Sequence, residues 1–268
     1  MKFIIDHDLH IHSHLSLCSK DEKQNTSSML AYAKCNSFKR ICVTDHYWDS
    51  TVPCNTAVNW WYEAQDYAHI SRNLPLPSDK EVAFLFGCEA DMDSDNVIGL
   101  PKERYCDFDF IIVSTTHFHH MAGADWEDVS NKEIAQHWIK RMNALLDSSF
   151  PFQKVGIAHP VCKLINRKSS VDYLDTLSLI PDDDLGCIFD KASKLGVGIE
   201  INYDDFASLY DDVSLTVLRV FKTAKYCGCK FYLGSDAHHP STLAKAVPVF
   251  AKAINLLNLN EDDKFIPQ

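Results

Sequence analysis

No run of apolar residues approaches the ~18 that a membrane span requires. The first ten residues carry Lys2, Asp6, His7 and Asp8 and lack the apolar segment of a secretion signal. These absences point to a cytoplasmic protein with no membrane partner, whose ten cysteines read as reduced thiols. Cys227 and Cys229 have no matching second pair, which argues against a zinc ribbon. Glycine is scarce, at nine residues. The Gly-rich dinucleotide fingerprint is missing from the first strand–helix turn, and so is a Gly-Lys-Ser/Thr phosphate loop. There is no basic run to offset a net charge of −11, so no nucleic-acid partner is expected. Repeats, low-complexity tracts and linkers are also lacking, and residues 1–268 read as a single domain.

What the chain has is alternation: a short apolar run, a turn, then an amphipathic segment, repeated along its length. That pattern predicts strand–helix units on a parallel sheet. The strands fall at 3–9, 40–44, 82–87, 108–114, 154–158, 198–201 and 231–234. The helices fall near 27–38, 57–72, 127–147, 183–195, 212–227 and 241–256. Ile134, Trp138, Met142, Leu145 and Leu146 recur at helical spacing. Pro181 and the Asp run after it suit a helix N-terminus. About seven such units suggest a barrel, with an open doubly wound sheet as the alternative.

Nearly every predicted strand ends in His, Asp or Glu. The ends are Asp8-Leu9-His10-Ile11-His12, Thr44-Asp45-His46, Gly87-Cys88-Glu89, Thr115-Thr116-His117, Ala158-His159-Pro160, Glu200-Ile201-Asn202 and Gly234-Ser235-Asp236-Ala237-His238. In a parallel barrel all these ends share one face. Side chains two apart on a strand point the same way, so His10 and His12 can hold one ion. Asp236 and His238 can do likewise if their strand continues. Imidazoles and carboxylates crowded into one pocket repel when charged and are costly to desolvate. Divalent cations resolve both problems by taking neutral nitrogens and anionic oxygens as ligands. A shell of this composition suits Zn, Mn or Fe.

This ordered set of motifs, spanning residues 8–239, resembles the PHP family, named for polymerase and histidinol phosphatase. The resemblance implies a distorted seven-stranded (β/α)7 TIM-like barrel with two or three divalent ions. On that pattern His10, His12, Glu89 and Asp236 hold one ion, and Glu89 bridges to a second held by His117 and His159. A third takes His46, His238 and a residue from the loop after His12. The family often has His or Asp five or six positions after the second His, whereas this chain has Leu17 and Cys18. Cys18, as thiolate, or His14 or Asp21 could complete that site.

The implied chemistry is attack of metal-activated hydroxide on a small phosphate monoester such as histidinol phosphate. His238, His46 or Asp45 could supply the leaving-group proton; Asp45 could instead orient a ligand. Arg167 and Lys163 are candidate phosphate-binding cations, with Lys20 after the first motif. His14, Asn202, His119 and His120 are candidates for touching substrate. Glu200 and Asn202 read equally as a buried polar pair. His7 reads as structural, His69, His137 and His239 as surface or packing residues, and Trp60-Trp61 as core and lid packing. The segment His119-His120-Met121-Ala122-Gly123 reads as a polar, flexible loop. Two other functions share the motifs: hydrolysis of a non-phosphate bond on the same centre, and a non-catalytic metal-binding module.

Overall fold

The computed structural model describes residues 1–121, 128–207 and 213–268. All seven expected strands are present and parallel: β1 (His7–Ile11), β2 (Arg40–Val43), β4 (Ala83–Asp91), β5 (Phe110–Ser114), β6 (Val155–Ala158), β7 (Gly198–Asn202) and β8 (Lys230–Gly234). They lie in the order β1-β2-β4-β5-β6-β7-β8. A two-residue strand, β3 (His46–Tyr47), pairs with β4 and sets His46 opposite Glu89.

The path closes into a barrel at β1 and β8, mostly without a ladder. Above the strands the Asp236 N–H donates to the His10 carbonyl (2.8 Å), and the His12 N–H to that of Ala237 (3.2 Å). Below, side chains replace the backbone. His7 Nε2 accepts the Leu233 N–H (3.0 Å), and Asp8 Oδ1 accepts the Ser235 N–H (2.9 Å). His7 is therefore structural, as expected from its place in β1. The result is a nearly closed α/β TIM-like barrel rather than an open sheet.

Helices cover the outside. Among the described residues these are α1 (Thr26–Cys35), α2 (Asn59–Glu63), α3 (Tyr67–Ile70), α4 (Asn131–Leu146), α5 (Ser170–Ser178), α6 (Asp182–Leu195), α7 (Tyr203–Ala207), α8 (Val213–Tyr226) and α9 (Pro240–Leu257). Helix α4 begins at a capping box between Ser130 and Glu133 and buries Ile134, Trp138, Met142, Leu145 and Leu146. Helix α6 starts after Pro181 with three aspartates in its first turn and ends at Gly196, in the left-handed region at φ 76°. The starts expected at 127 and 212, and Ala122 and Gly123 of the expected flexible loop, lie outside the described residues.

The single helix expected over 57–72 is instead two short helices. Asp66 accepts the His69 N–H (2.9 Å) and caps α3. Gln65, just before it, accepts the Leu17 N–H with its side chain (2.9 Å) and the Trp48 N–H with its carbonyl (3.2 Å). These bonds hold the break. Apolar spacing cannot report such a competition between side chain and helix.

Candidate metal centre

Strand β1 carries His10 and, just past its end, His12; their Nε2 atoms lie 3.0 Å apart. Strand β4 runs four residues beyond its expected end and brings in Glu89, which is fully buried. Glu89 Oε1 is 2.9 Å from His159 Nε2 and 3.9 Å from His117 Nε2. Its Oε2 is 3.2 Å from both His12 Nε2 and His46 Nδ1, and 3.5 Å from His10 Nε2. Asp236 Oδ1 lies 3.0 Å from His12 Nε2 and 3.4 Å from His10 Nε2.

Asp236 and His238 were expected to grip one ion only if their strand continues, and it does not. β8 ends at Gly234, and Asp236 turns into the left-handed region at φ 51°. Asp236 therefore faces His10 and His12, while the His238 ring stacks on His12 with centroids 4.1 Å apart and stands near His46.

Four overlapping groups of ligand atoms are close enough to hold an ion: His10·His12·Asp236, His10·Glu89·His159, His46·Asp91·His117 and His12·His46·His238. Asp91 was missed in the sequence. Its carboxylate meets His117 Nδ1 at 2.8 Å and His46 Nδ1 at 3.1 Å. The signal was present: Asp91 follows Glu89 by two residues, so on an extended strand both face the same way. The expected strand stopped at Gly87, which hid it.

Neighbours orient the imidazoles. His10 Nδ1–H donates to Glu200 Oε1 (2.8 Å), leaving Nε2 free. Glu200 Oε2 also accepts the His159 N–H (2.5 Å), which makes it more than a buried polar residue. Thr116 Oγ1 sits 2.8 Å from His159 Nδ1. His12 Nδ1–H meets Ser16 Oγ (2.9 Å), whose hydroxyl donates to Asp45 (2.7 Å). Asp45 also accepts from the Ser13 N–H and hydroxyl and from Asn73 (2.7, 2.6 and 2.6 Å). With both oxygens occupied by four donors, Asp45 is a poor proton donor. Of its two expected roles, the geometry fits orientation.

The charges oppose one another. Burial alone would raise Glu89, but the His46 and His10 charges hold its carboxyl well below the usual range. Asp236 is likewise held low against burial, chiefly by His10, and Asp91 falls to about 2 beside His46 and His117. In return the carboxylates lift His10 and His46 despite their burial, and Cys162 and Glu89 lift His159. Burial wins at His117, which is lowered. Among the described residues, Glu89 Oε2 is buried with no hydrogen-bond partner. An ionised oxygen without a donor, ringed by imidazole nitrogens, fits a divalent cation, which satisfies it without a proton.

A cavity of about 250 Å³ lies over these groups, with Cys18, Trp61, His119 and His120 in its lining. Burial raises the Cys18 thiol, but His46 and His238 bring it down to about 7. Trp61 packs its edge on His46, with centroids 4.8 Å apart, while Trp60 is exposed. A second cavity of about 670 Å³ shares His159, Leu164, Asp236 and His238 with the first, and Lys163 and Asn202 line it. Arg167 is exposed, and its charge reaches His119 and His120. His14 and Lys20 are exposed and line neither of these two cavities, and Asp21 pairs with His239 (2.8 Å).

A family model described as PHP domain matches residues 8–203. The chain belongs to the PHP family. It is accordingly a metal-dependent phosphoric ester hydrolase. The barrel fold is shared by solved structures, two of which follow. A histidinol phosphate phosphatase from Lactococcus lactis subsp. lactis, complexed with zinc, L-histidinol and phosphate, is 14% identical; the match covers 92% of this chain and 93% of that one, at a TM-score of 0.52. A Listeria monocytogenes protein assigned as a histidinol phosphatase is 11% identical, with 91% and 99% covered and a TM-score of 0.60. No curated protein sequence matches the chain. Among the described residues, no helix is long and apolar enough to cross a membrane.

Proposed function

We propose that the chain acts as one catalytic unit in the cytoplasm and hydrolyses a small phosphate monoester, with histidinol phosphate as the specific candidate. The observation that carries this reading is the buried, unpartnered Glu89 Oε2 at the meeting point of His10, His12 and His46. The histidinol and phosphate held by the Lactococcus structure support the choice of substrate.

Two or three ions of Zn, Mn or Fe would be held by His10, His12, Glu89, Asp236, His117 and His159, with His46, His238 and Cys18 toward the cavity. Asp91 joins this set through His46 and His117. Such ions supply an activated water and offset charge on phosphoryl oxygens. Glu200, Thr116 and the Ser16–Asp45 pair fix the tautomers and ring positions of the imidazoles. His238 Nδ1–H donates to the Asp236 carbonyl (2.8 Å), which leaves Nε2 to the cavity. In a two-ion centre that nitrogen delivers the proton to the leaving alcohol, and in a three-ion centre it is a ligand instead. His46 is more deeply buried and serves as a ligand. Lys163, on the wall of the second cavity, and Arg167, whose charge reaches His119 and His120, are the cations proposed for the phosphoryl oxygens, and Asn202 lines the pocket for the alcohol part.

A panel of phosphomonoesters, including histidinol phosphate, tests the reading on Mn- or Zn-loaded protein. The expected result is turnover that a chelator abolishes and added ion restores. Full ion occupancy with no turnover would overturn the phosphoesterase reading. Turnover of other esters but not of histidinol phosphate would overturn only the substrate.

A further inference from the structure

One corner of the centre differs in kind from the rest. His12, His46 and His238 have ligand atoms close enough to share a cation, but the group contains no carboxylate. His12 Nδ1 faces Ser16, His46 Nδ1 faces Asp91, and His238 Nδ1–H donates to the Asp236 carbonyl, so each ring keeps Nε2 for an ion. Imidazoles bind an ion in their neutral form and offset none of its charge. The nearby carboxylates are committed elsewhere. Asp236 faces His10 and His12, Asp91 meets His46 and His117, and Asp21 pairs with His239.

Cys18 supplies the missing anion. It lines the same cavity as His46, Glu89 and His238, and the charges of both imidazoles act on its sulfur. The loop that carries it is pinned on either side. The Leu17 N–H donates to Gln65 Oε1 (2.9 Å), and the Ser19 hydroxyl donates to the His238 carbonyl (2.8 Å). A second observation points to a cation here. Glu89 Oε2, fully buried and without a hydrogen-bond partner among the described residues, lies 3.2 Å from His46 Nδ1 and faces the same cavity. Sulfur with imidazole is a soft donor set. Zn accepts it, whereas Mn prefers carboxylate, carbonyl and water oxygens.

We propose that Cys18, with His46 and His238, forms a zinc-selective position, so that the centre holds one more ion when loaded with Zn than when loaded with Mn. This rests on the metal-dependent phosphoesterase reading and names the ion for one of its positions. Cys18 stands six residues after His12, where a carboxylate would make a harder site open to Mn as well. With that position filled, His238 is a ligand; with it empty, His238 Nε2 is free for proton transfer. The ion supplied therefore sets the role of His238.

The test counts ions per chain by equilibrium dialysis and elemental analysis on wild type, Cys18→Ser and Cys18→Asp. Zn-loaded wild type should hold one ion more than Zn-loaded Cys18→Ser. The loss in affinity at that position should exceed the roughly 10- to 100-fold that removal of an outer-shell partner costs. Mn-loaded wild type and Cys18→Ser should hold equal numbers, and Cys18→Asp should take up the extra ion with either metal. Alkylation by iodoacetamide, followed by peptide mass mapping, reads the same position in unsubstituted protein. Zn should protect Cys18 but not the exposed Cys35, Cys106 and Cys187, and Mn should protect none of them. Equal Zn content in wild type and Cys18→Ser, or Cys18 alkylated equally fast with and without Zn, overturns the proposal. Ion contents that follow the expected pattern in a protein that turns over no phosphomonoester overturn the phosphoesterase reading instead and leave the Cys18 position standing.

Discussion

Toward the N-terminal end of the barrel, Leu9, Cys42, Phe110, Ile112, Ala158, Tyr232 and Phe265 form an apolar plug. At its rim Lys264 lies 3.1 Å from Asp6 and 2.6 Å from Glu261. At the C-terminal end the same strands deliver imidazoles and carboxylates. There Glu89 Oε2 has no partner, and His159 and Asp236 sit at positive φ, 28° and 51°. Positive φ occurs at both ends, at Ser37 and Asn258 as well as at His159 and Asp236. What sets the C-terminal end apart is a bare carboxylate oxygen among imidazoles beside two such residues, a combination that persists at functional sites because the surrounding structure imposes it. Each end also depends on a glycine. A Cβ at Gly156 would run into the Tyr232 ring of the plug, and one at Gly234 would overlap Glu200 and His10 at the centre.

The contrast is sharpest if the two ends fail differently. Glu89→Gln should cut kcat/KM on the order of 10³-fold or more and lower bound metal by elemental analysis, with little change in the stability of chelated protein. A large loss of chelated stability would mean that Glu89 belongs to the scaffold. Phe265→Ala should do the reverse, costing about 3 kcal/mol in denaturant unfolding while metal content per folded molecule stays constant; a drop in metal content would merge the two ends. Glu200→Gln should weaken metal affinity or activity by about 10- to 100-fold through His10 and His159, and wild-type metal affinity in that variant would remove its orienting role.

The smallest effect is at the rim of the plug. Asp6 is partly buried, which raises its carboxyl, but hydrogen bonds from His7 and Lys264 bring it down to about 2. The folded protein therefore keeps this carboxylate ionised where the unfolded chain protonates it, near 4. Its contribution is present above that pH and is lost as pH falls toward 2. After allowance for solvent screening, about 1 kcal/mol is at stake. Between pH 5 and 2, chelated wild type should lose more stability than Lys264→Met by a part of that amount, since the His7 bond to Asp6 remains in the variant. Parallel curves would show the pair to be idle.

Particular residues show how far reading the chain could go. The run Asp8-Leu9-His10-Ile11-His12 and its counterparts on later strands were legible because strand periodicity and terminal position are local properties. Glu200 was visible as a strand-end carboxylate, yet its bond to His10, 190 residues away, was not. Asp91 was lost because the end of β4 depends on pairing with β3 and β5, which no local pattern encodes. The break at Gln65 and Asp66 was hidden for the same reason, since the partners of Gln65 are Leu17 and Trp48.

From the order of its residues alone, this chain determined a parallel α/β barrel and the identity of most groups at its mouth, because hydrophobic period and motif order survive without knowledge of contacts. Only the tertiary structure decided which carboxylate orients which imidazole, which oxygen is left bare, and how β1 meets β8 through His7 and Asp8. The physical reason is distance along the chain: hydrogen bonds, burial and charge coupling act between groups that folding brings within a few ångströms, whatever their separation in sequence.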